Sequence, residues 1–440
     1  MIKPISISLS PNTEPDDVRL AFRLLFQPWK WKKGEALRAL EEEFKKRIGT
    51  RHAFGFNSGR SALLAILSAL QEGDLSPEAP PVGRAGLAKG NEVLLQAFTC
   101  NAVPNPVMWA GLKPVYVDCR EDDFNIDTDD LERKITPKSR VVIVQHTFGL
   151  PADMDRVIEI CKRHNLFLIE DCAHALGAEY QSKGVGLPAE ARRAKVGTFG
   201  KAAFFSFSRD KVISCIYGGM VTTNEDGLAK TVKKFQEGAG YPSAYWAFQQ
   251  LLHPLAMNLN ILPSYRVFGK YLLIIAQWLH VLSKAVHWKE KRGMKPGYFP
   301  KRMPNALAIL ALQQLGKLER FNKHRKEIAQ TYYKELVGTS FELPERFEGR
   351  ENIFLRFAVK HPRAHEIVTK AWAQNLLIGD WYTSPLAPED THLEKFGYWK
   401  GSCPNAENLV QITLNLPTHI NIREEEVKKI VEFLKPWPPE

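Results

Sequence analysis

The amino-acid sequence predicts an α/β protein organised around a mostly parallel, doubly wound sheet. Two observations lead there. Over the first 240 residues, short apolar runs alternate with stretches of helical periodicity, the pattern of repeated strand–helix–strand units. Three chemically distinctive points, the turn at 57–61, Asp171 and Ser206, each end or follow an apolar run. They therefore fall at strand carboxyl ends, the edge at which such sheets bind ligands.

In chain order, the expected strands are His52–Asn57, Glu92–Gln96, Pro114–Asp118, Arg140–His146, Leu166–Asp171, Ala203–Ser208 and Met220–Thr223. Helical stretches such as Arg60–Glu72 and Asp153–His164 lie between them. Residues 74–90, rich in Pro and Gly, read as a surface loop. From 241 to 296 the alternation stops, and a hydrophobic insertion carries Trp246, Trp278 and Trp288. Within it Lys270, Gln277, His280, Lys284, His287 and Lys291 share one face of a helix predicted over 270–291, and aliphatic residues fill the others. Such a helix is either a lid or dimer contact, or it lies in a membrane interface aided by Trp and Lys; its polar residues interrupt it too often for a membrane span. A long helix is predicted over 305–337. A smaller α+β region follows, with strand-like Ile353–Val359 and Leu409–Leu416. The organisation expected is a large domain at 1–240, the insertion at 241–296, a connecting region at 297–337 and a small domain at 338–440.

A chain of 440 residues with 44% hydrophobic and 25% charged residues can bury a large core. The net charge of +11 suits anionic partners such as phosphorylated substrates or a membrane surface. With no dense Lys/Arg tract, nucleic acid is not expected. The six cysteines are scattered without metal-ligand spacing, so no metal is expected and a reducing cytoplasm fits. The N-terminus has no apolar stretch of the kind that marks secretion.

The chemistry centres on Lys211. It closes Phe205-Ser206-Phe207-Ser208-Arg209-Asp210-Lys211 and precedes Gly218-Gly219. Forty residues upstream, an apolar run ends in Glu170-Asp171, with His174 three residues on. A lysine amine can condense with an aldehyde, and a buried acid can hold a pyridine nitrogen protonated. Together they are the equipment for pyridoxal 5'-phosphate (PLP). Asn57-Ser58-Gly59-Arg60-Ser61 leaves a strand and opens a helix, whose free N–H groups favour an anion. Each feature has a plainer reading: Asp171 as a helix cap, Lys211 as a surface lysine, the glycine turn as only a turn. Their succession at strand ends is what joins them.

These segments, with Ala97-Phe98-Thr99, Gly111-Leu112-Lys113-Pro114-Val115-Tyr116-Val117-Asp118, Asn125-Ile126-Asp127, Gly149-Leu150-Pro151-Ala152-Asp153 and Pro404-Asn405-Ala406-Glu407, resemble the DegT/DnrJ/EryC1/StrS family of sugar aminotransferases. The resemblance covers about 14–240 and 297–435. It implies the PLP-dependent transferase fold type I, with a seven-stranded sheet, and a homodimer. By that resemblance Lys211 would hold the cofactor aldehyde and shuttle protons, Asp171 would pair with the ring nitrogen and His174 would reach the phenolic oxygen. Gly59, Arg60, Ser61 and Ser206 would hold the phosphate, and Cys100 would lie against the ring where the family usually has an aromatic side chain. The implied reaction moves an amino group from glutamate to a nucleotide-linked keto-sugar for surface glycan synthesis. Pro300 stands where the partner subunit usually offers an Asn. A non-catalytic cofactor-binding regulator, or a membrane-associated interaction protein built on the insertion, are the readings from other classes.

Overall fold

The computed structural model describes residues 3–73, 86–183 and 193–438. Residues 74–85 of the expected loop lie outside them.

Seven strands form the central sheet: β1 His52–Phe56, β2 Glu92–Gln96, β3 Lys113–Val117, β4 Ser139–Gln145, β5 Phe167–Asp171, β6 Ala202–Ser206 and β7 Gly219–Thr223. All seven expected strands are present, Glu92–Gln96 with its bounds unchanged and the others with an end shifted by one or two residues. Their order across the sheet is β1-β7-β6-β5-β4-β2-β3. The β6–β5, β5–β4, β4–β2 and β2–β3 pairs are parallel, and β7 alone runs antiparallel to both neighbours. Strands β2 and β5 are buried at every position, as expected when helices cover both faces. The helix Gly59–Glu72 supplies Leu63, Ile66, Leu67 and Leu70 to one face of the core. On the other, Phe44, Phe205 and Phe207 pack with helix Asn305–Leu315.

The predicted helix over 305–337 is two helices, Asn305–Leu315 and Leu318–Leu336. The break falls at Gly316, a weak helix former, where the chain leaves the large core and Lys317 pairs with Glu14, Asp16 and Asp17. The first half of the strand expected at Leu409–Leu416 is helix. Pro404 opens a helix over Pro404–Ile412, a position where its missing N–H costs nothing. Only Thr413–Leu416 is extended, antiparallel to Phe357–Lys360. The latter is all that is strand in the expected Ile353–Val359 run. These two strands and the helices Leu318–Leu336 and Glu424–Leu434 enclose a separate hydrophobic cluster.

The insertion departs most from expectation. After helix Ala244–Leu255 come two π-helical turns, Ala256–Ile261 and Tyr265–Gly269, and a helix over Lys270–Trp278 only. The helix predicted to reach 291 stops because His280 is left-handed (φ 59°) and its carbonyl accepts from Tyr245 Oη at 3.0 Å. Beyond it the backbone at 283–285 bonds to side chains of the large domain, and these tertiary contacts outweigh helical propensity.

Candidate active site

The carboxyl ends of β1, β4, β5 and β6 open into a cavity of about 300 Å³. Its walls include Gly59, Arg60, Cys100, Asp171, His174, Ser206 and Lys211, seven of the eight residues singled out from sequence.

The eighth, Ser61, is not in the wall. It sits fully buried one helical position further on. Its hydroxyl donates to Asn57 Oδ1 at 2.7 Å and its N–H to Ser58 Oγ at 3.1 Å. Ser58 thus caps the helix and leaves the first-turn N–H groups, which a helix cannot satisfy internally, at the cavity. Gly59 is required for contact rather than flexibility: a Cβ there would lie 3.2 Å from Ser206 Cβ and 3.4 Å from the Phe205 carbonyl. A cradle of helix N-terminus and hydroxyls results.

Asp171 ends β5 wholly enclosed, and among the described residues its carboxylate has one hydrogen bond, from the Ala173 N–H at 2.9 Å. Burial pushes its pKa up to about 6, while that bond and the charge of Lys211 pull the other way. The Lys211 pKa is pushed down to about 8, mainly by burial, with Cys100 and Asp171 opposing. Its Nζ stands 5.1 Å from the centre of the Trp381 ring. About a tenth of such an amine is in its neutral, nucleophilic form at pH 7, far more than of an ordinary lysine.

The His174 ring lies parallel to Trp381 (5.5 Å, 18°), and burial holds its pKa well below 6.5. Nδ1 accepts the Phe148 N–H at 3.3 Å, so the proton of the neutral ring is on Nε2, 3.4 Å from Tyr382 Oη. His174 is therefore a donor into the site. Cys100 Sγ accepts weakly from the Ala102 N–H.

Behind β5, Glu170 points to the opposite face and accepts N–H groups of Gly197, Phe199 and Gly200 at 2.6–2.8 Å. His146 Nε2 faces it at 3.1 Å while Nδ1 accepts from Ala152 N–H. Glu170, His146 and Cys172 are close enough to suggest a metal. The donor atoms of Glu170 and His146 are already engaged in anchoring β5, and a buried Cys172 thiol with its pKa pushed up makes a poor ligand.

Sequence reasoning missed most of the wall. Trp381 and Tyr382 come from the C-terminal region and Ala285 and Val286 from the insertion. Glu290, on the insertion and fully buried, sits 2.5 Å from Arg60 Nε. Arg209, two residues before Lys211, is also buried. Its guanidinium bonds only neutral groups, the Ser283 carbonyl and hydroxyl at 2.8 and 2.7 Å, and its Nε has no partner among the described residues. A buried cation without a carboxylate asks for an anion. The only local signal was Arg209 in the lysine segment itself.

The residues fit PLP on two counts. Asp171 is a buried carboxylate lacking a cationic partner of its own, and the Gly59–Ser206 cradle would be filled by any side chain at 59. The model of the DegT/DnrJ/EryC1/StrS aminotransferase family matches residues 15–261 and 273–435. The chain belongs to this family. It is a PLP-dependent sugar aminotransferase. The match runs through most of 241–296, so only 262–272 within the insertion stands outside the family pattern. The aminotransferase is similar to a pleiotropic regulatory protein of Geobacillus stearothermophilus, 28% identical over 91% of this chain and 90% of that one. It is also similar to a UDP-N-acetyl-3-dehydro-alpha-D-glucosamine 3-aminotransferase of Acidithiobacillus ferrooxidans, 25% identical over 91% and 88%. Among solved structures, the PLP form of a putative sugar aminotransferase from Streptococcus pneumoniae shares the fold, with a TM-score of 0.72 and 20% identity over 98% of each chain.

The Lys211 pKa yields an expected pH dependence. Only the neutral amine attacks an aldehyde, so its share rises as pH climbs through about 8 rather than 10.5. The rate at which apoenzyme takes up PLP, followed by visible absorbance, should rise about tenfold per pH unit below 8 and level off above it. A rate that keeps climbing past pH 10 would show an ordinary lysine.

Proposed function

We propose that the aminotransferase moves an amino group from glutamate to the keto carbon of a nucleotide-linked sugar, yielding an amino sugar for surface glycan synthesis. One observation carries the reading: a lysine amine with a lowered pKa, a buried unpaired carboxylate and a hydroxyl-lined helix N-terminus share one cavity. The nucleotide-linked acceptor is supported by the name of the Acidithiobacillus relative and by the net charge of +11.

Bound PLP would supply an electron-withdrawing ring that stabilises charge at the carbon losing its proton. The chain's residues would do the rest. Gly59, Arg60 and Ser206 would hold the phosphate at the helix N-terminus, with Ser61 acting only through Asn57 and Ser58. Asp171 would keep a proton on the ring nitrogen. His174 Nε2–H would donate to the ring oxygen. Lys211 Nζ would take and return the proton at the substrate carbon, and Cys100 would flank the ring. The working unit is taken to be a homodimer in the cytoplasm; six free cysteines, five of them buried, suit a reducing compartment.

The test is spectroscopic. Purified enzyme should absorb in the visible, and glutamate alone should abolish that band as the amino group passes to the cofactor. The Geobacillus relative's name gives a regulator as the second reading. It predicts cofactor absorbance that glutamate leaves unchanged, and that outcome would displace the transaminase proposal.

A further inference from the structure

The segment outside the family pattern, 262–272, leads into the most apolar exposed surface among the described residues. Helix Lys270–Trp278 is almost wholly apolar, yet none of its nine residues is buried. It rests on a small cluster of Met257, Ile261, Leu262 and Leu282. Its outer side, continued by the preceding and following turns, exposes Val267 (69%), Phe268, Tyr271, Ile275, Trp278 (75%) and Leu279. Contiguous apolar exposure of this kind marks a docking face rather than scattered surface residues.

The charge pattern says what docks. From 238 to 289 the chain has no Asp or Glu. Arg266, Lys270 and Lys284 are exposed around the apolar side chains. A second copy joined by a two-fold axis through this segment would set these cations against one another, and residues 238–289 supply no acid to meet them. An anionic lipid surface satisfies both parts: the aliphatic and Trp side chains enter the headgroup boundary while the cations meet phosphates. Among the described residues no helix is long and apolar enough to cross a membrane, so the segment lies along the surface. It lies beside the active site, since a second cavity lined by Tyr265, Arg266 and Lys270 shares Asp380 with the first.

We propose that residues 259–284 are a membrane-docking face that holds the enzyme peripherally on anionic bilayers. Apolar burial supplies the salt-insensitive part of binding, and each cation contributes roughly fivefold, screened by salt.

The experiment is sedimentation of the full-length, PLP-loaded protein with sucrose-loaded vesicles of phosphatidylcholine, with and without phosphatidylglycerol, at low and high salt. Wild type should pellet with phosphatidylglycerol vesicles at low salt, and less with phosphatidylcholine alone or at high salt. Ile275→Glu should stay in the supernatant, and Lys270→Ala should bind roughly fivefold more weakly. Both positions are exposed, so both variants should keep wild-type cofactor absorbance and melting temperature. No pelleting of wild type at low salt overturns the proposal. So does pelleting that ignores phosphatidylglycerol or survives Ile275→Glu. A halved mass of Ile275→Glu in light scattering, without vesicle binding by wild type, would assign the face to a second copy instead.

Discussion

Lys211→Ala should abolish transamination, with a loss of at least about 10,000-fold in turnover. Two roles disappear together. The amine that captures the cofactor aldehyde is gone, and so is the base that carries the proton at the substrate carbon; a positioned acid–base group alone is worth about 100- to 10,000-fold. Among the described residues no other amine is placed to substitute, since Arg60 and Arg209 are guanidinium groups that do not give up their protons in this range. The variant should still fold, because the substitution removes a desolvated amine rather than a partnered one. Its melting temperature and its retention of PLP under gel filtration separate loss of chemistry from loss of structure. The visible band should shift to that of the free aldehyde. Added methylamine, small enough for the space left by the side chain, should restore a measurable fraction of turnover. A variant that transaminates at the wild-type rate would remove Lys211 from the site.

The parts of this site that sequence discloses are those fixed by local pattern. An apolar run ending in Asp171, another ending in Ser206, and a glycine between a strand and a helix place three groups at one sheet edge. The regular order of a doubly wound sheet then brings them together. Side-chain direction was less accessible. Ser61 lies two positions from Gly59 on the same helix, and that rotation turns its hydroxyl to Asn57 instead of the cavity. What sequence could not disclose came from distant segments. The Arg60–Glu290 contact spans 230 residues, and Tyr217 Oη donates to the Lys284 and Ala285 carbonyls nearly 70 residues away. Periodicity over 270–291 described a helix because it weighs each residue against its neighbours in the chain. The structure weighed Ser283 against Arg209 and His280 against Tyr245, and the helix ended at Trp278. Leu409–Leu416 is a strand only from Thr413 on, for the same reason in miniature: a run of apolar residues does not say how far a helix opened at Pro404 will run.

Asp171→Asn should lower turnover by about 100- to 10,000-fold while leaving PLP bound. The amide has the carboxylate's shape and can still accept the Ala173 N–H, so a residue that only caps this turn would be replaced without loss. What the amide cannot do is stabilise a proton on a ring nitrogen, and without that charge the ring is a weaker electron sink for the proton transfer at Lys211. The apoenzyme offers an independent readout of opposite sign. The Asp171 pKa is about 6 when folded against an ordinary 3.8, so the folded state binds this proton more tightly than the unfolded chain. The stabilisation this provides is complete below about pH 4 and is lost as pH rises through 6, a change of about 2–3 kcal/mol at neutral pH. Asn carries no such charge. The variant apoenzyme should therefore be more stable than wild type at pH 8, and the difference should shrink toward pH 4 in urea unfolding. In PLP-loaded protein a cationic ring would lower the carboxyl's pKa again, so the stability advantage of Asn should vanish or reverse on adding cofactor. Equal turnover of the two proteins, or an advantage for Asn that PLP leaves untouched, would show that the carboxylate does not face the cofactor.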